Sequence, residues 1–306
     1  MTSVTDAPTD YGRVHELQPG AALTGPVALG SAVSLRTLDS SGGQISTEVS
    51  YDELDPRRFF PVTGPIGIDG VRRGDTVGIE ILAIDPDPLA HTWTRPGLGL
   101  LEHESFAVMS VDSRTLEIRP QGPDGPLVGV ATAQTHVGAL GLLPSTVQPP
   151  RTLGRYGGNI DFSAVGAGAT VWLTAEVDGG GFFVGDVHAS IGDGEVCGTG
   201  AETGAEVTVR FTRHPGTTAA LPTVRDAQGR LWVIGIGSSV EEALREATQY
   251  CVQRLAASDG LTEQEAYLSV GMLLRAQLCQ VVNPRTSVAV SLEGGADRVL
   301  AVAPRR

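Results

Sequence analysis

Along most of the chain apolar and polar residues alternate, the two-residue period of strands with one buried face. In AVSLRTLDS, Val33, Leu35 and Thr37 share a face, and in EVTVRFTRH so do Val207, Val209 and Phe211. TVGIEILAI, FFVGDVHAS and the more uniformly apolar RLWVIGIG read as further strands, as do residues 106–120 and 127–143. VTGPIGIDGVRRGDTVGIEILAIDP reads as a hairpin-like unit, with turn signals at Gly64-Pro65 and Asp69-Gly70. Residues 85–99 are proline-rich and are expected to form a long loop, with His91, Trp93 and Arg95 at alternate positions.

The period changes late in the chain. In SSVEEALREATQYCVQRLAASDG, Val240, Ala243, Leu244, Ala247, Cys251 and Leu255 form one helical stripe. Ser238 or Ser239 caps it, Glu241 and Glu242 suit the dipole of its first turn, and Gly260 ends it. LTEQEAYLSVGMLLRAQLCQVV is expected to be a second helix, opened by a Thr262–Glu265 capping box and carrying Cys279. A short strand, TSVAVSL, follows, and the last ten residues are expected to be a loose tail. The fold class is therefore mostly β with C-terminal helices.

Composition narrows the function. A net charge of -13 argues against nucleic acid and anionic membranes as partners. No apolar run approaches the roughly 20 residues that span a bilayer. Three cysteines without CxxC spacing read as reduced thiols in a cytoplasm. All 22 basic residues are arginine, so Schiff-base, P-loop and lysine-assisted amidase chemistry are excluded.

The chemistry concentrates between Gly157 and Glu206. Asp186 and His188 lie two apart on a strand and share a face, a carboxylate and an imidazole suited to zinc. The IGDGE turn, with positive φ expected at Gly192 and Gly194, leads to a returning strand on which Glu195, Cys197 and Thr199 share a face. Asp161, Asp186 and His188 are the expected metal ligands and Glu195 the base, with Glu202 and His136 in reserve. Calcium rivals zinc because the cluster is rich in oxygen. Asp161 also suits a turn or cap, His136 a packed core, and Cys197 a nucleophile with His188 as its base. No G-x-S-x-G elbow or strand-bound G-x-G-x-x-G is present.

GGN-x-D followed by GD-x-H-x-x-x-GDGE-x-C-GT-x-x-E resembles the acetamidase/formamidase family of metal-dependent amide hydrolases. DSSGGQI, TGPIGIDGVRRGDTVGIEILAI, VIGIGSSVEEALREA and GLTEQEAYLSVGMLLRAQLCQVVNP resemble further motifs of that family, in its order, from about Ser31 to Asn283. The resemblance implies a β-sandwich-like core, a homo-oligomer, and hydrolysis of small linear amides with release of ammonia. The polar residues 1–12 are expected to be a flexible leader, and 13–306 a single domain of this type, with a β half at 13–150 and a metal-site half at 151–306 that holds a helical pair at 238–281. On this reading Asp161, Asp186 and His188 hold zinc, or calcium, and metal-bound water attacks the amide. Glu195 and Glu202 are catalytic, and Asn159 and His136 contact the substrate. The early VHELQPGAALTGPVALGSAV and the THVGALG segment depart from the family pattern. They leave open a larger amide or imide, a non-hydrolytic isomerase, cyclase or lyase, or a protein whose metal is structural.

Overall fold

The computed structural model describes residues 11–101, 104–215 and 217–304. Residues 1–10 of the expected leader lie outside the described residues. Two large sheets face each other across one apolar core. The second sheet is antiparallel throughout and runs in the order Leu274–Gln280, Thr286–Leu292, Leu231–Gly237, Thr223–Arg225, Thr170–Thr174, Thr76–Pro86, Ala205–His214, Ala32–Thr37. The first sheet is built around Phe182–His188, buried at all seven positions. One edge of this strand pairs with His136–Gly141. Its other edge is shared: Val62–Ile68 takes the first half, and Glu202–Thr203 takes the end. Leu89–Thr94 and Ala107–Asp112 extend the sheet beyond Glu202–Thr203.

The alternation read from the sequence explains how the sheets meet. Val207, Val209 and Phe211 of the second sheet and Ile66, Phe182 and Val184 of the first are all fully buried in the same cluster. Each such side chain contributes about 1.5–3 kcal/mol by leaving water.

Helix α1, Val240–Asp259, is capped by Ser239 and stops at Gly260, which takes the left-handed conformation. Its Ala243, Ala247, Cys251 and Leu255 stripe packs against Val233, Val288 and Val290 of the second sheet. Among the described residues no helix is long and apolar enough to cross a membrane.

Four expectations are corrected. Val62–Ile68 and Thr76–Pro86 do not form a hairpin: residues 69–75 carry the chain from one sheet to the other, so each strand finds partners remote in sequence. The proline-rich segment contains a strand, Leu89–Thr94, whose prolines lie just outside the paired residues. Helix α2 starts at its Thr262–Glu265 box but ends at Leu273, and Leu274–Gln280 pairs with Thr286–Leu292. Cys279 is therefore a buried strand residue, and the helical pair covers 240–259 and 263–273 rather than 238–281. The tail is anchored by Val299 and Leu300, buried under α1.

Candidate metal centre

Asp186 sits where the Phe182–His188 strand changes neighbour. Gly185 is opposite Val62, and Val187 is opposite Thr203. Between those pairings Asp186 adopts φ 54°, and Asp161 and Glu195 take φ 47° and 49°. Positive φ is costly for residues with a Cβ, and such strain gathers where a site overrides local preference. Among the described residues six non-glycine residues have positive φ, and half of them are carboxylates of this one cluster. Gly194, but not Gly192, has positive φ in the turn before Glu195. No strand returns from that turn until Glu202–Thr203. Thus Glu195 is buried while Cys197 is exposed, and the expectation that they share a strand face fails.

The described structure gathers Asp161, Asp186, His188, Glu195 and Glu202. Ligand atoms of Asp161, Asp186 and His188 lie within 4.8 Å of one another, and so do those of His188, Glu195 and Glu202. Nε2 of His188 is 3.1 Å from Glu202 Oε1 and 3.6 Å from Asp186 Oδ1. Neither contact has hydrogen-bond geometry, and Nε2 has no hydrogen-bond partner. Asp161 Oδ1, Glu202 Oε2 and Asn159 Oδ1 are also buried without one. Buried polar atoms left unpaired are costly and call for an ion or water. Two glycines make room: a Cβ on Gly138 would stand 2.7 Å from Asp186 Oδ2 and 2.8 Å from Asp161 Oδ1, and one on Gly200 would stand 2.8 Å from the His188 ring.

His136 is opposite His188 in the strand pairing and lies behind it. Its Nδ1 is 2.7 Å from the Gln134 carbonyl, and its Nε2 is 3.0 Å from His188 Nδ1. A carbonyl only accepts, so His136 donates from Nδ1 and accepts at Nε2. His188 must then donate from Nδ1, so a neutral His188 presents its Nε2 lone pair to the carboxylates. This is the outer hydrogen bond that metal-ligating histidines usually make. His136 is fully buried, is not among the residues lining the cavity, and so departs from the expected substrate contact.

Burial, followed by the charges of Glu195 and Asp186, pushes the Asp161 carboxyl well above its usual range. Burial also lifts Glu195 to about 8 and Glu202 to about 7. For His188 burial works downward, but Glu202 and Asp186 outweigh it and raise the pKa. Burial and the neighbouring His188 depress His136 to about 3, which keeps it neutral. Carboxylates crowded at this cost in a protein interior are the environment a cation relieves.

A cavity of about 670 Å³ opens above the cluster, with Asp186, Glu195, Glu202 and Asn159 in its floor. Asn159 donates to Asp161 Oδ2 at 2.5 Å. Asn283, not singled out from sequence, donates to the same oxygen at 3.3 Å and to Glu195 Oε2 at 3.4 Å. Its only sequence signal is the NPR turn after Leu274–Gln280, and reading that stretch as helix concealed it.

The Acetamidase/Formamidase family profile matches residues 6–152 and 145–289. A provisionally named formamidase of Schizosaccharomyces pombe is 27% identical, over 67% of this chain and 64% of that protein, so the chain spans under two thirds of that relative. Among solved structures, acetamidase from Bacillus halodurans superposes with a TM-score of 0.84 at 27% identity, covering 92% of this chain and 94% of that one. A predicted acetamidase/formamidase from Thermoanaerobacter tengcongensis gives 0.82 at 26% identity, covering 92% of both chains. A gamma lactamase from Delftia acidovorans shares the fold at 20% identity, with a TM-score of 0.63 and coverage of 95% of this chain and 91% of that one.

Proposed function

Since the chain belongs to the acetamidase/formamidase family, we propose that it hydrolyses the carbon–nitrogen bond of an amide, with a divalent cation held by Asp161, Asp186 and His188. The observation that carries this reading is the unpartnered Nε2 of His188, its lone pair aimed by His136 into a buried set of acids. One imidazole nitrogen among carboxylate oxygens favours zinc, since calcium takes oxygen ligands. A bound zinc ion supplies a Lewis acid for the amide carbonyl and lowers the pKa of water to about 7.

The remaining chemistry falls to the chain. Water provides the new C–O bond, the C–N bond breaks, and the products are a carboxylate and ammonia. Glu195, in the cavity floor, accepts the proton from water and delivers it to the leaving nitrogen. Glu202 is beside His188, its Oε1 held by the Gly200 N–H at 2.9 Å, and serves as the second proton site. Asn159 orients Asp161 and faces the substrate.

We read the enzyme as cytoplasmic and homo-oligomeric, in keeping with three free thiols and with exposed Tyr267, Leu268 and Met272 on α2. Light scattering on the purified protein tests the assembly. Metal analysis of untagged protein, followed by an ammonia-release assay on small amides, tests the reaction. Zinc near one per chain and ammonia release, both lost in His188→Ala, are expected. Amide hydrolysis by rigorously metal-free protein would overturn the reading.

A further inference from the structure

The cavity is far larger than formamide or acetamide requires. At about 670 Å³ it falls within the roughly 300–1,000 Å³ of sites for drug-sized ligands. Its walls divide into two kinds of surface. Tyr51 and Phe59 present aromatic rings, and Phe59 packs on Trp93 with centroids 5.4 Å apart. Against them stand groups that offer hydrogen bonds and lack acceptors. The Trp93 indole N–H is buried with no partner, and so is the Ser40 hydroxyl. Arg95 and Arg151 line the same cavity and, among the described residues, form no ion pair. Arg95 spends one N–H on the adjacent Pro96 carbonyl at 3.3 Å. Arg95 follows directly on the strand that ends at Thr94, two residues past Trp93, and both line the cavity.

Indole and guanidinium groups donate and cannot accept. Two guanidiniums near an unpaired indole N–H form a binding surface for an anion, and a carboxylate matches the guanidinium fork. Arg151 feels the repulsion of Arg95 and the attraction of Glu195, so it lies within electrostatic reach of both the wall and the floor. Asp52 also lines the cavity and is its one acid outside the carboxylate cluster; it alone would favour a cationic ligand.

We propose that the substrate is a primary amide with an apolar or aromatic body and a carboxylate at the end remote from the amide, which Arg95 and Arg151 hold while the amide rests on the acid-lined floor. This rests on the amide-hydrolysis reading. The amide end meets the chemistry, the body lies along the aromatic rings, and the anion answers the unpaired donors.

Three matched amides test it on the zinc-loaded enzyme: 4-carbamoylbenzoate, benzamide and 4-(aminomethyl)benzamide, with acetamide as the control for hydrolysis. A kcat/KM for 4-carbamoylbenzoate about tenfold or more above benzamide is expected, since a charge-assisted contact of this kind is worth about one power of ten. Arg151→Gln and Arg95→Gln should each shrink that ratio, chiefly through KM, and added salt should shrink it as well. Ammonia from acetamide without preference for the carboxylate, or with preference for the aminomethyl compound, overturns the inference and leaves amide hydrolysis standing. No ammonia from any of the four overturns both.

Discussion

His136 Nε2 lies 3.0 Å from His188 Nδ1, and the Gln134 carbonyl holds the far side of the first ring at 2.7 Å. The chain of hydrogen bonds runs one way, from His188 through His136 to a backbone oxygen, and it fixes which nitrogen of His188 meets the cavity floor. Replacing His136 with Phe removes the acceptor but keeps an aromatic ring in the core. Zinc affinity should fall about 10–100-fold, the usual cost of losing an outer-shell partner. His136→Gln, whose amide oxygen can accept, should recover part of the loss. Competition with a chromophoric chelator measures both, and equal affinities across wild type and Phe variant would refute the relay.

Metal-free protein should lose stability as pH rises from about 6.5 to 9. Glu195 at about 8 and Glu202 at about 7 both lie above the ordinary 4.5. In that window the folded state binds more protons than the unfolded one, so stability falls with rising pH. His188, also raised, adds a contribution of the same sign. His136, depressed to about 3, acts only below its ordinary value near 6.5 and with the opposite sign. Thermal melts in chelator across this range read the slope directly. Added zinc should lift the melting temperature most at the alkaline end, because its ligands bind deprotonated. A flat or rising melting curve in chelator contradicts the crowded-carboxylate picture.

Glu195→Gln separates the two burdens that residue bears. The variant keeps the shape and cannot ionise, so the metal-free protein should be more stable than wild type above pH 8 and show a shallower pH slope. Ammonia release should fall about 10²–10⁴-fold, the range for loss of a general base. Calorimetry and steady-state kinetics on the same preparation check the pair of effects. Retained turnover would move the proton-transfer role to Glu202.

Gly138→Ala should damage the centre without touching a ligand. The new Cβ would meet the Asp186 carbonyl at 2.6 Å as well as both carboxylates, and backbone cannot step aside. A cost of about 1–3 kcal/mol is expected, with weaker zinc binding. Gly271, within α2, is the control: nothing lies within 4 Å of its Cβ position, so Gly271→Ala should stabilise by roughly 0.5–1 kcal/mol. Denaturant titrations of the two variants should move in opposite directions.

Much of this architecture was legible because its rules are local. Strands such as Ala205–His214 show their buried face in every second residue, and Ser239, Gly260 and Thr262 mark helix ends by chemistry that needs only neighbours. What escaped depends on partners. MLLRAQLCQVV is as apolar and unbranched as a helix until Thr286–Leu292 claims Leu274–Gln280 as an edge strand. Leu89–Thr94, flanked by Pro88 and Pro96, becomes a strand because Ala107–Asp112 lies beside it. In the centre, the spacing of Asp186 and His188 on one strand made their neighbourhood foreseeable. The inward turn of Glu195 was not, since it depends on a left-handed backbone rather than on strand alternation.

The floor and the walls of the cavity come from different stretches of chain. The acids and histidines of the centre are residues 136, 161, 186, 188, 195 and 202, whereas the rings and guanidiniums of the wall are residues 51, 59, 93, 95 and 151. Natural selection can therefore retailor what is recognised while leaving what is done to it intact, by changing wall residues that are no part of the carboxylate centre. A laboratory seeking new appetites from this scaffold has the same freedom, and the same place to start.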